Sequence, residues 1–182
     1  MIIIYIAIAV VVLWVVFTFN SLIRGKNRVH EAWSDIEVQL KRRYDLIPNI
    51  VEAVKGYMSH ERGVFEKVTE ARSAAMGAKS AHDKAQAENM LSSTLKTLFA
   101  VSENYPDLKA NTNFLDLQRE LADTENKIQA ARRFYNSVVM VFNNTIEMFP
   151  SNLLASVFKF TKREFFDLED GSPAQEPVKV TF

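Results

Sequence analysis

The sequence predicts an all-α protein: an N-terminal single transmembrane helix followed by an antiparallel up-and-down bundle of long helices. Three observations predict it. The first is an uncharged apolar run at the start of the chain. The second is a set of apolar seams that advance by alternating steps of three and four. The third is a low content of turn formers, five Gly and five Pro in 182 residues, which disfavours a turn-rich β protein.

The apolar run covers residues 2–19 and includes Ile2, Val10, Trp14 and Phe19. Its length sits at the short end of what crosses a hydrocarbon core of about 30 Å. A secretory signal peptide would need a charged region ahead of the run and a small-residue cleavage site after it; neither is present. A buried core helix would show a polar face, and this run shows none. A retained anchor over residues 1–23 is the expectation, with Trp14 and Phe19 toward the inner interface. Arg24, Lys26 and Arg28 follow with no acid before Glu31. That asymmetry predicts a short N-terminus outside and the rest of the chain in the cytoplasm. Three charges fall short of a polybasic lipid-binding cluster.

The bundle is expected over residues 24–158. Val29, Trp33, Ile36, Leu40, Arg43, Ile47, Ile50, Val54 and Tyr57 form a first seam. Arg43 stands where an apolar residue belongs, and a seam charge is costly unless paired. Glu120, Asp123 or Glu125 are candidate partners, which makes a register-setting ion pair the leading reading over a functional arginine. Pro48 lies inside the pattern and predicts a kink rather than a stop. Residues 61–76 read as further helix, with Gly77 as C-cap. Ser80 and Asp83 resemble a cap for a helix that runs to about Asn104 through Leu91, Leu95 and Leu98, and Pro106 ends it.

The longest seam spans residues 113–149. Phe114, Leu121, Ile128, Tyr135, Phe142 and Phe149 take the a positions of a coiled-coil heptad, and Leu117, Thr124, Ala131, Val138 and Thr145 the d positions. One helix of roughly 55 Å carries it. Pro150 stops it, and a helical turn follows. The tail, residues 159–182, is acidic and Pro-punctuated, yet Phe165 and Phe166 make it more aromatic than a disordered tail. Packing on its own bundle or on a neighbour is expected.

Composition and motifs exclude much. Lys+Arg and Asp+Glu balance at 22 each, so no global field attracts nucleic acid. The chain lacks cysteine, which removes disulfides, thiolate ligands and a thiol nucleophile. His30, His60 and His82 lack metal-site spacing and read as surface histidines. No phosphate loop, dinucleotide loop or nucleophile elbow occurs. No catalytic residue, metal, cofactor or small-molecule substrate is expected.

Several strings resemble the LemA family of bacterial membrane proteins. They are Trp33 with Ile36 and Leu40; Arg43-Tyr44-Asp45-Leu46-Ile47-Pro48-Asn49; Tyr105-Pro106-Asp107-Leu108-Lys109-Ala110; Phe114-Leu115 with Leu117-Gln118; Ala131-Arg132-Arg133-Phe134-Tyr135-Asn136; Val138 with Asn143; and Phe149-Pro150-Ser151-Asn152. The resemblance covers nearly the whole chain. It implies a single anchor, a cytoplasmic helical bundle and no established enzymatic activity. Its relatives include proteins of magnetosome membranes, and members occur beside membrane-bound zinc proteases. Tyr44, Pro48, Tyr135 and Phe149 are explained by packing as readily as by binding. Asn49, Asn136 and Asn143 either lock register and cap neighbours or face a partner.

The functional expectation is a non-enzymatic scaffold or interaction module on the cytoplasmic face of the inner membrane, in contact with the lipid bilayer and self-assembling into a homo-oligomer. The alternative is an adaptor or regulator of a membrane protease or other envelope protein. The faces the seam leaves outside, including Arg132, Asn136 and Asn143, and the aromatic tail are where either role is expected to reside.

Overall fold

The computed structural model describes residues 1–58 and 60–166, and within them the chain is helical without strands. Six helices follow in order: α1 (Ile2–Lys55), α2 (Arg62–Gly77), α3 (Ala81–Ser102), α4 (Pro106–Lys109), α5 (Thr112–Glu147) and α6 (Ser151–Val157). The apolar run and the first seam are one uninterrupted helix, so the expected boundary between residues 23 and 24 falls inside α1. No Gly or Pro pair interrupts residues 20–28, and Gly25 alone does not break a helix that neighbours hold.

The chain divides into two compact units. Unit 1 contains Met1–Leu40 and Asn126–Phe165; unit 2 contains Lys41–Glu125 together with Phe166. In unit 1, Gly25 lies against Phe142 and Trp33 against Tyr135. Eight residues forward on α1 thus correspond to seven backward on α5. In unit 2, Arg43 meets Glu125 and Tyr57 meets Asn111, fourteen forward against fourteen backward. Both units pair these helices antiparallel.

The seams bury as their spacing requires. Val29, Ile36 and Leu40 are buried in unit 1, as are Ile128, Tyr135, Val138 and Phe142. In unit 2, Ile47, Ile50 and Val54 are buried with Phe114, Leu121 and Thr124, and α2 and α3 add Phe65, Val68, Leu91, Leu95 and Leu98. Each such side chain contributes about 1.5–3 kcal/mol of transfer free energy.

Helix ends follow local chemistry. Ser80 Oγ accepts from the Asp83 N–H at 3.0 Å, as its spacing predicts. Asn111 Oδ1 does the same for the Phe114 N–H at 3.0 Å, starting α5. Three expectations change. Gly77 is the last residue of α2, and the cap is Ala78 in extended backbone. Pro106 opens a short helix instead of only closing one, because its missing N–H falls where helices leave donors unpaired. Phe149, assigned to the seam, is 78% exposed, since α5 ends at Glu147 and the periodicity lapses with it. Tyr57 is likewise half-exposed beyond the end of α1.

Candidate functional site

Two constellations stand out, one in each unit. In unit 2, Arg43 occupies the α1 seam and is 1% exposed. Its Nη1 donates to Glu125 Oε2 on α5 at 2.6 Å and to Ser92 Oγ on α3 at 2.9 Å. Its Nη2 forms a close ion pair with Glu88 of α3, also 1% exposed. The Tyr44 hydroxyl donates to the other Glu88 oxygen, and Ser92 Oγ donates to Glu125 Oε1 at 3.1 Å. One arginine therefore ties three helices, and every named carboxylate meets a cation or a donor. Burial pushes the Tyr44 phenol above the ordinary tyrosine range, with Arg43 and Arg72 pulling the other way. Two carboxylates share one guanidinium in this cluster, and the Arg43 Nε is buried without a hydrogen-bond partner.

A second link in unit 2 explains how Pro48 is tolerated. Proline lacks the N–H that would bond the carbonyl four residues earlier, and here that carbonyl belongs to Tyr44. Arg72 Nε on α2 donates to the Tyr44 carbonyl at 2.8 Å. The bond that α1 loses to its own proline is supplied by α2, so the helix continues to Lys55.

Unit 1 is built around the end of the apolar run. The Phe19 ring stands 4.7 Å from Phe158 and 6.2 Å from Phe160, centroid to centroid. Those two phenylalanines reach it because α6 closes in a Schellman turn. The Phe160 N–H bonds the Ala155 carbonyl at 2.8 Å and the Lys159 N–H bonds the Ser156 carbonyl at 3.1 Å. Lys159 takes the left-handed position, φ 55°, where glycine is the usual occupant. The extended segment beyond it is clasped by Asn143. Its Nδ2 donates to the Arg163 carbonyl at 2.9 Å, and its Oδ1 accepts from the Arg163 N–H at 2.8 Å. The Tyr135 hydroxyl donates to the next carbonyl, Glu164, at 2.9 Å. Burial raises the Tyr135 phenol, with Arg163 opposing and Glu164 reinforcing the rise. On the other side of α5, Arg28 sits over the Phe134 ring at 6.0 Å. Gly25 allows the close approach of α1: a Cβ there would come within 2.9 Å of the Phe142 ring.

The remaining candidates separate by exposure. Ile2 and Val10 are exposed, as is the rest of the run through Leu13, while Trp14 and Phe19 are half-covered. Arg24, Lys26 and Arg28 are exposed, as are Pro48 and Asn49. Arg132 and Asn136 are half-buried and each is engaged by a neighbour. Pro150 precedes α6. Phe166 is buried and Phe165 is 42% exposed; residues 167–182 of the tail lie outside the described residues. His30, His60 and His82 are exposed. Among the described residues no group of three metal-ligating side chains gathers.

Three residues were missed by sequence reasoning. Glu88 lies on the α3 stripe between Ala85 and Leu91, so an acidic seam residue was available to answer Arg43. Arg72 carried no sequence signal, because its role follows from a vacant carbonyl on another helix. Gly25 sits on the α1 face opposite Phe142, and only the inter-helix distance reveals its purpose.

The LemA family model matches residues 32–182. The chain is 29% identical over 137 residues to the Protein LemA of Metamycoplasma hominis, covering 75% of this chain and 63% of that protein. It is 23% identical over 174 residues to Magnetosome protein MamQ 2 of Paramagnetospirillum magneticum, and 21% identical over 174 residues to Magnetosome protein MamQ of Magnetospirillum gryphiswaldense. Each of these alignments covers 81% of this chain and 64% of the relative. The chain thus spans a little under two thirds of the length of these relatives, and none of their names denotes an enzyme. With the family model matched from Trp33 in unit 1, through the Arg43 cluster, to the segment clasped by Asn143, the chain belongs to the LemA family.

Proposed function

We propose that this protein is a non-enzymatic, membrane-anchored interaction module that presents its helical bundle at the cytoplasmic face of the membrane and assembles with further copies of itself. The observation that carries the reading is the continuity of α1. No residue of its apolar 18-residue window is buried among the described residues, and the same helix runs on to carry the Arg43 seam. An apolar surface of that length and exposure is stable in lipid and not in water. Arg24, Lys26 and Arg28 support the cytoplasmic orientation. The names of the MamQ relatives are consistent with an organising role but assign no chemistry.

Self-assembly draws support from anchoring, which confines the bundles to two dimensions and raises their effective concentration. Lysine-directed crosslinking in intact membranes, followed by light scattering of the particle in mild detergent, tests it. Self-crosslinks and a mass that is a multiple of the 20.8 kDa chain are expected. A single-chain mass with one dominant heterologous crosslink would replace this reading with the adaptor.

A further inference from the structure

We infer that α6 and the turn after it form a second membrane contact, an interfacial foot that enters the headgroup region of an anionic leaflet beside the anchor. The inference rests on the membrane reading above and deepens it.

Among the described residues, the apolar side chains of this segment are left largely uncovered. Phe149, Leu153 and Val157 follow one another at four-residue steps and are 78%, 55% and 72% exposed. Leu153 and Val157 thereby share one side of α6, opposite the buried Ala155, and Phe149 stands just ahead of the Pro150 cap. Three exposed apolar groups in a row are what an interfacial helix presents to lipid.

Their depth follows from the anchor. Residues 2–19 rise about 27 Å, slightly less than a hydrocarbon core of about 30 Å. Phe19 therefore stands at the boundary between acyl chains and headgroups. Phe158 packs on that same ring, and α6 is only about 10 Å long. The apolar row consequently lies within headgroup reach of the boundary, continuous with the surface already assigned to lipid. An isolated helix of seven residues would bind a bilayer weakly; tethered at Phe19 it does not need to find one.

Charge selects the leaflet. Stretches 20–29 and 147–164 carry six Lys or Arg against two carboxylates, Glu147 and Glu164, and Glu147 is already paired with Lys162. A cavity of about 380 Å³ opens between Phe19 and Phe158, with Lys26, Lys159 and Arg163 around it. Three cations beside an aromatic floor suit a lipid phosphodiester whose acyl chains continue along the anchor. Lys159, at its left-handed position, lines this cavity.

The natural absence of cysteine makes the test direct. Full-length Val10→Cys, Leu153→Cys and Gln129→Cys variants, each carrying an environment-sensitive fluorophore, are reconstituted into phosphatidylcholine vesicles with and without phosphatidylglycerol. Nitroxides at shallow or deep acyl positions then report depth. The Leu153 label is expected to be quenched best by the shallow nitroxide, the Val10 label by the deep one, and the Gln129 label by neither. A deep Val10 label with a Leu153 label open to a water-soluble quencher overturns the foot and leaves the anchor standing. If the Val10 label is aqueous too, the anchor itself falls. A Leu153→Cys chain that is shielded from lipid and oxidises to a disulfide dimer would assign the row to a second copy and overturn the foot. Replacing Lys26, Lys159 or Arg163 by Gln should each cost roughly fivefold in the phosphatidylglycerol-to-phosphatidylcholine ratio retained on the extracted protein, read by native mass spectrometry. No change in that ratio would refute the anionic preference.

Discussion

The two units solve opposite problems with the same two helices. Unit 2 takes charge inside: Arg43 and Glu88 are almost wholly buried and paired with each other, with Glu125, Ser92 and Tyr44 as further partners. Unit 1 leaves apolar surface outside: among the described residues, the run from Ile2 to Leu13 and the set Phe149, Leu153 and Val157 are exposed. Unit 1 closes instead on shape, with Gly25 against Phe142, and on the Asn143 clasp of the Arg163 backbone.

The sharpest way to break this contrast is to remove one side of the polar lock. Glu88→Ala removes the fully buried one of the two carboxylates paired with Arg43, leaving Glu125, and is expected to cost up to about 3–5 kcal/mol, measured by urea unfolding in detergent. Replacing both Arg43 and Glu88 with apolar side chains of similar volume should restore most of that loss. If the double variant is as unstable as the single one, the lock reading of unit 2 is wrong.

The proline bypass comes next. Arg72→Leu strands the Tyr44 carbonyl beside Pro48 and should cost about 1.5–3 kcal/mol. In a Pro48→Ala background, where the backbone N–H returns, the same change should cost less by at least about 0.5 kcal/mol. Additive losses would show that Arg72 has no special relation to the proline.

Within unit 1, Gly25→Ala should cost about 1–3 kcal/mol by overpacking against the Phe142 ring, and a paired Phe142→Leu change should relieve it. Asn143→Leu removes two bonds to the Arg163 backbone at about 1 kcal/mol each. Hydrogen exchange should then quicken over residues 159–165 while the Arg43 cluster keeps its protection. Equal acceleration in both units would erase the distinction between them.

Alkaline titration gives a smaller effect common to both. Tyr44 and Tyr135 have folded-state values raised above the ordinary 10.0, chiefly by burial. The folded state therefore favours the neutral phenols. Their contribution is fully present below about pH 10 and is lost as pH rises through the raised values. Tyr135→Phe should flatten that loss. Smallest of all is Arg42→Ala, which breaks a 3.0 Å pair with Glu120 that is exposed on both sides; it should change stability by less than about 1 kcal/mol.

What could be read in the chain before its fold was known divides along physical lines. Periodicity revealed α1 and α5, because a face that meets a neighbour at every turn writes itself into the sequence at steps of three and four. Ser80 was legible as a cap, because an N-cap bonds a donor three residues away. Arg43 announced a partner by its presence in a seam, and Glu125 among the proposed acids reaches it; Glu88 was overlooked because a buried acid on α3 looks like one more helical carboxylate. Arg72 and Gly25 answer to geometry on a different helix, which no local pattern records. Phe149 misled because the heptad count continues through a helix end that the chemistry of Pro150 imposes.

The central claim is that one helix changes surroundings along its length, from lipid at its start to the protein seams of the bundle. A scan of single cysteines along α1 in intact membranes, probed with a membrane-impermeant maleimide, tests it most directly. Added after permeabilising the cytoplasmic side, the reagent should fail at Ile6→Cys and Val10→Cys and react at the exposed Val38→Cys. Equal reactivity at Val10→Cys and Val38→Cys would contradict the account.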